Sequence, residues 1–125
     1  MKVMALLLGL WVVGCASRTA TSTPVPFKMA NDVIGNPCTA SKYVVGLLIN
    51  DPDVGLAIQD DQGVITRIVW RMTDSGRQLP NGEVEVLDSS GTVVATTGHK
   101  YRIGGKVATF FGDAFWACAG VFTPQ

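Results

Sequence analysis

The chain contains a single histidine, His99, the residue type best suited to general acid–base chemistry near neutral pH. A histidine base needs a carboxylate to orient it and a nucleophile beside it. Serine and aspartate are plentiful, but none stands in a nucleophile motif such as G-x-S-x-G. His99 lies between Gly98 and Lys100, where we expect a turn that enters a strand and a side chain that reaches solvent. The sequence therefore predicts no catalytic residue.

Two short acidic segments, Asp51-x-Asp53 and Asp60-Asp61, could in principle bind a cation. The first begins like a calcium-binding loop. In such a loop the sixth residue is glycine and the twelfth is a bidentate glutamate, but here those positions hold leucine and glutamine. We therefore predict solvated turns at both segments and no metal site.

The first fourteen residues have the layout of a secretory signal peptide. Lys2 supplies a positive charge, and residues 3–13 form an uncharged run of eleven residues. A helix of that length rises about 16 Å, so the run is too short to span a bilayer. We therefore predict export from the cytoplasm, with residues 1–14 as the removed signal.

The segment Val12-Val13-Gly14-Cys15 at the end of this run resembles the lipobox of bacterial lipoproteins. The resemblance implies that the Cys15 thiol receives a diacylglycerol and that the peptide is cut just before Cys15. We therefore expect a lipoprotein of the cell envelope, anchored on the periplasmic or extracellular side of a membrane through its diacylglyceryl-cysteine. The alternative is an ordinary secretory signal that is cut elsewhere.

The other two cysteines, Cys38 and Cys118, lie at the two ends of the predicted domain. An oxidising compartment favours a disulfide between them. That bond would close a loop of about 80 residues and stabilise the fold by at most about 4.5 kcal/mol through chain entropy. The alternatives are a free reactive thiol and a metal-binding pair, and a single histidine with no third ligand nearby disfavours the metal.

Aromatic residues in the second half of the chain give the best indication of a binding surface. Consecutive residues of a strand point to opposite faces of the sheet. One member of each of the pairs Phe110-Phe111 and Phe115-Trp116 could therefore point outward. An exposed pair would mark a surface for a partner or a ligand. The alternative is that these side chains fill the core of the domain. The candidate binding surface consists of Trp70, Arg71, Tyr101, Phe111, Phe115 and Trp116.

Composition and turn signals predict an all-β fold for residues 38–125. Fourteen glycines and six prolines in 125 residues disfavour a helical bundle. Within 15–37, which starts with the lipidated cysteine, we predict a flexible spacer at 16–26 and a helical or irregular lead-in at 27–37. Short apolar runs then alternate with turn signals, which is typical of a small barrel. We expect strands at 43–49, 55–59, 64–72, 83–87, 92–97, 100–103, 107–111 and 115–121, with a loop at 73–82 and a turn at Gly104-Gly105.

Three segments of the domain carry a resemblance to a group of small secreted or lipid-anchored bacterial β-barrel proteins. They are GVITRIVW, NGEVEVLDSSGTVVATTGHKYRIGG and FWACAGV. The resemblance implies a five-stranded Greek-key barrel of the OB type, and its motifs are structural rather than catalytic.

Charge narrows the function further. Ten basic and ten acidic residues give a net charge of zero, which argues against a nucleic-acid-binding protein. We expect a lipid-anchored β-module of the cell envelope with a binding or accessory role, an envelope protein or a small ligand as its partner, and neither a cofactor nor enzymatic activity. The alternative is an envelope hydrolase that uses His99 with nearby carboxylate and hydroxyl groups.

Overall fold

A computed structural model of the chain describes residues 23–32, 39–108 and 114–125. This part of the chain contains nine strands and no helix, and so no helix long and apolar enough to span a membrane. The strands are β1 (Val25–Phe27), β2 (Lys42–Asp51), β3 (Gly55–Gln59), β4 (Ile65–Val69), β5 (Ser75–Gln78), β6 (Val84–Leu87), β7 (Val93–Thr96), β8 (Lys100–Ala108) and β9 (Ala114–Pro124).

Five strands close into a barrel in the order β2-β3-β4-β9-β8. All neighbouring strands are antiparallel except β4 and β9, which are parallel. Numbered along the chain within the barrel, the strands therefore follow the order first, second, third, fifth, fourth. The prediction of an all-β fold with a small barrel is confirmed. The Greek-key, OB-type assignment stays a prediction.

The other four strands form a second, antiparallel sheet in the order β1-β5-β6-β7. Two predictions were wrong here, because residues 25 and 26 of the predicted spacer belong to β1 and the predicted loop 73–82 contains β5. Pro26 is compatible with β1 because this strand lies at the edge of the sheet and pairs only with β5. The polar strand β5 forms because it pairs with both β1 and β6.

One hydrophobic core joins the barrel to the second sheet. Its main cluster combines barrel residues such as Ile58 and Ile103 with Val84 and Val86 of β6, all fully buried. Two hydrogen bonds tie the turn after β7 to the barrel strand β2, because the Gly98 N–H donates to the Leu48 carbonyl at 2.9 Å and the Leu48 N–H donates to the His99 carbonyl at 2.9 Å. The two sheets are thus packed as one unit.

The pair Gly104-Gly105 does not form the predicted turn. Both glycines lie inside β8, which continues from Lys100 to Ala108, and the register with β9 shifts between Ile103 and Gly105. At this bulge the strands approach so closely that a Cβ atom on Gly105 would collide with the carbonyl oxygen of Trp116. The glycines therefore serve close packing of two strands rather than a reversal of the chain.

Candidate functional site

His99 is exposed at the turn between β7 and β8, as predicted. Its backbone carbonyl accepts a hydrogen bond from the Leu48 N–H at 2.9 Å, and within the described residues its ring makes no hydrogen bond. A surface pocket of about 390 Å³ lies beside this turn and is lined by Glu83 and Thr97 among others, but not by His99. Among the described residues, neither a carboxylate nor a hydroxyl is hydrogen-bonded to the imidazole.

The aspartates of the two acidic segments act within their own turns. One Asp51 carboxylate oxygen accepts the N–H groups of Asp53 and Val54 at 2.9 and 3.1 Å. An Asp60 oxygen accepts the N–H groups of Gln62 and Val64 at 2.8 and 2.9 Å in the same way. These contacts are those of aspartate-stabilised turns. In the described part of the chain, no three metal-ligating side chains form a group.

The predicted cysteine chemistry falls partly outside the described residues. Cys118 is 1% exposed and disulfide-bonded. Cys38, its predicted partner, and Cys15, the predicted lipidation site, both lie outside the described residues. The Cys38–Cys118 pairing and the lipidation of Cys15 therefore stay predictions.

The aromatic side chains proposed as a binding surface are core residues. Trp70, Tyr101, Phe115 and Trp116 are 0, 7, 5 and 6% exposed, and Phe111 lies outside the described residues. The expectation that one of two consecutive aromatics is exposed is wrong for Phe115 and Trp116, because both faces of β9 are covered at residues 114–118. Phe115 belongs to the main cluster, whereas Trp116 packs in a second buried cluster. The sequence pattern could not show this two-sided burial.

Arg71, the remaining member of that candidate surface, is held by an ion pair. Its Nε and Nη2 atoms donate to the two carboxylate oxygens of Asp74, each at 2.9 Å, and the Asp74 side chain is fully buried. The Asn31 side-chain amide donates to the carbonyl oxygens of Arg71 and Asp74 at 2.6 and 3.0 Å. This group joins the segment before the barrel to the loop that follows β4, and its role is structural.

A different surface exposes aromatic, aliphatic and cationic side chains together. It lies on β2 and β8, and we call it the β2–β8 face. In the register of these strands Val45 is opposite Arg102, so the two side chains share the outer face of the sheet. The Arg102 guanidinium carbon lies 3.9 Å from the centroid of the Tyr43 ring. Tyr43 and Val45 are 51 and 47% exposed, and Lys100 and Arg102 are exposed as well.

The β2–β8 face was not predicted from the sequence. The sequence of β8 contains a pattern that indicates it, whereas that of β2 does not. The run Lys100-Tyr101-Arg102-Ile103 alternates charged with apolar residues, which predicts cations on one face of the strand. On β2, by contrast, residues 43–49 are apolar on both faces except for one glycine, so periodicity could not identify the outer side.

A second cationic feature is a pocket of about 310 Å³ between the segment that follows β1 and the strands β3 and β4. We call it the Arg67 pocket. The Arg67 Nε atom is buried and has no hydrogen-bond partner in the described residues. In the sequence, the signal for this pocket is the one charged residue within the run VITRIVW. The pocket is lined by Lys28, Met29, Ala30, Val54, Gly55, Leu56, Arg67 and Ile68.

The β2–β8 face and the Arg67 pocket share one property, which is positive charge beside apolar area. Neither of the two cations that line the pocket has an ion-pair partner among the described residues.

Comparison of the chain with protein-family models, with curated proteins and with solved structures finds no match.

Proposed function

We propose that the chain is a lipid-anchored β-module of the cell envelope with a binding or accessory role, and that the β2–β8 face binds an acidic envelope protein. The observation that carries this proposal is the exposure of Tyr43 and Val45 beside Lys100 and Arg102. Tyrosine and arginine are enriched in the interiors of protein interfaces, where each contributes a large contact area.

Charge favours an acidic partner over a neutral one. Among the residues of β2 and β8 the only acid is Asp51, which is the last residue of β2. It is six residues from Val45, or about 20 Å along an extended strand. The contact of Arg102 with the Tyr43 ring holds both side chains in place before binding, which lowers the entropy lost when a complex forms.

The proposed anchor would keep this face close to a membrane. Because β1 begins at Val25, ten peptide steps separate it from Cys15. A fully extended chain of that length spans at most about 36 Å. Lipidation of Cys15 would therefore restrict the module to partners on or near the same membrane, which raises their effective concentration.

Site-specific photo-crosslinking in the native host tests the binding surface. A photoreactive phenylalanine analogue at Val45 should give a single envelope-protein adduct, whereas the same analogue at Val93, which is 39% exposed on the second sheet, should not. Charge reversal by Lys100→Glu should reduce the adduct at position 45. Equal adducts at both positions, or an adduct that is insensitive to charge reversal, would contradict the proposed surface.

Membrane fractionation tests the anchor separately. Cys15→Ser should move the chain from the membrane fraction to the soluble or unprocessed pool, because the cysteine thiol is the acceptor of the lipid. A wild-type chain that is already soluble would show that the lipoprotein assignment is wrong, whatever the outcome of the crosslinking.

A further inference from the structure

We infer that the Arg67 pocket is a binding site for an organic anion, with a carboxylate or phosphate group at Arg67 and Lys28 and an apolar body against Met29, Val54 and Leu56. This site is distinct from the β2–β8 face and does not depend on the proposed lipid anchor. Its basis is a buried cationic nitrogen with no hydrogen-bond partner among the described residues, in a pocket whose other described lining residues are mostly apolar.

The buried nitrogen of Arg67 is unusual among the arginines of the described chain. Arg71 and Arg77 each donate to a carboxylate, at 2.9 and 2.6 Å, and Arg102 stacks on a tyrosine ring. Arg67 has neither kind of contact, although its Nε is shielded from solvent. Buried donors are almost always hydrogen-bonded in folded proteins, so this donor lacks an acceptor. The Arg67 side chain is only partly buried as a whole, and a shift of that side chain in the pocket would let a ligand supply the acceptor.

The chemistry of the two cations selects an oxyanion. A guanidinium presents a planar set of N–H donors that matches a carboxylate or a phosphate, and a lysine ammonium adds a mobile second charge. Lys28 is exposed and lines the same pocket as Arg67 from a different chain segment. Among the described residues that line the pocket none is acidic, so these walls bring no negative charge to a bound anion.

The wall that carries Lys28 is fixed by the fold. Phe27, the residue before it, pairs with Gly76 in the second sheet. Two residues after it, the Ala30 carbonyl accepts a hydrogen bond from the Trp70 N–H at 2.8 Å. The lysine is thus held between two backbone attachments, and the pocket is formed before a ligand binds.

The apolar walls of the pocket favour an organic anion over an inorganic one. Met29 is half-buried and Val54 is 40% exposed, so both offer apolar surface to a ligand. A methionine side chain adapts its shape to different apolar partners. The volume of about 310 Å³ lies at the small end of the range for ligand pockets, which suits a compact ligand or one end of a longer one.

The inference is tested by titrating the exported chain that carries Cys15→Ser. This substitution changes none of the residues that line the pocket. The probes are octanoate and octyl phosphate, with acetate and inorganic phosphate as their headgroup-only counterparts. Binding is followed through the Nε–Hε resonance of Arg67 in nitrogen–proton NMR spectra and, independently, by calorimetry. We expect at least one octyl probe to shift this resonance and to bind at least tenfold more tightly than its counterpart. Comparison of octanoate with octyl phosphate distinguishes a carboxylate headgroup from a phosphate one.

Three variants complete the test. Arg67→Gln should weaken the better octyl probe at least tenfold, and Lys28→Gln, at an exposed position that leaves the fold intact, should weaken it several-fold. The control Arg77→Gln, which removes an arginine outside both the pocket and the β2–β8 face, should leave the affinity unchanged. Binding of no probe, equal affinity for the octyl probes and their counterparts, or equal affinity in Lys28→Gln and wild type would each overturn the inference.

Discussion

The ion pair between Arg71 and Asp74 gives the sharpest test of how the two parts of the fold are held together. Asp74→Ala removes both hydrogen bonds of 2.9 Å from the guanidinium and a third, at 3.3 Å, from the Arg71 backbone N–H. It also disturbs the loop whose two carbonyls accept the Asn31 amide. The substitution therefore acts where the segment before the barrel meets β4.

The expected cost follows from the burial of the two partners. Removing one partner of a buried ion pair costs about 3–5 kcal/mol, because the remaining charge loses the favourable interaction with that partner. The Asp74 side chain is fully buried, but that of Arg71 is 23% exposed, so water can hydrate part of the guanidinium in the variant. We therefore expect the lower end of the range, about 3 kcal/mol, or a decrease in Tm of roughly 12–24 °C for a domain of this size.

The measurement is a double-mutant cycle of Arg71→Ala and Asp74→Ala by urea unfolding, followed through tryptophan fluorescence. The matched control is the cycle of Arg77→Ala and Glu85→Ala, a cross-strand pair whose side chains are 41 and 17% exposed. The first cycle should give a coupling free energy of about 2 kcal/mol and the second less than about 1 kcal/mol. Similar coupling in both cycles, or a cost below about 1 kcal/mol for Asp74→Ala, would refute the reasoning from burial.

Three further predictions concern a bulge, a buried hydroxyl and a turn. Gly105→Ala should lower the free energy of unfolding by about 3 kcal/mol, because its Cβ atom meets the backbone of the neighbouring strand β9. The control Gly91→Ala, at an open position with a φ of 85°, should lower it by about 1 kcal/mol. Equal costs in urea unfolding would contradict the close approach. Tyr101→Phe should lower the free energy of unfolding by about 1–2 kcal/mol, because it removes the hydroxyl that accepts the Thr96 N–H at 2.8 Å. Hydrogen exchange at the Thr96 amide should become faster, and unchanged exchange would show that this bond is dispensable. The hydrogen bond from the Ser90 hydroxyl, together with backbone N–H groups, holds the pKa of Asp88 below its ordinary value. The stabilisation from this turn is therefore complete above about pH 4 and is lost as the pH falls through the folded-state pKa, so wild type should lose stability more steeply in acid than Asp88→Asn; parallel curves would contradict it.

The strands that the sequence predicted well are those with β-branched or alternating residues between turn signals. Residues 55–59 match β3, and the runs at 64–72 and 83–87 contain β4 and β6. Local patterning was sufficient there because each strand has at least one apolar face and ends at a residue that favours a turn.

The strands that were missed depend on pairing with other strands, which the local sequence pattern does not show. The strand β5, with the sequence SGRQ, has no apolar face, and it forms because β1 and β6 supply hydrogen bonds on both sides. In the same way, Gly104-Gly105 has the composition of a turn, and only the approach of β9 shows why glycine stands there. The site was harder to predict still, because Lys28 and Arg67 are 39 residues apart and meet only through the packing of β1 on the second sheet.

The net charge of zero counts the charged residues of the chain but does not say where they lie. The structure shows which of these charges are paired. Several acids are engaged locally: Asp74 and Glu85 bind arginines, and Asp51, Asp60 and Asp88 accept backbone N–H groups within their own turns. Asp74 and Glu85 are therefore balanced by their own arginines and do not compensate the cations elsewhere on the surface. The neutral total argues against a long-range field that would attract a polyanion such as nucleic acid. It does not argue against short-range recognition of an anion, since at a contact distance the nearest charges dominate and those beside Arg67 and on the β2–β8 face are positive.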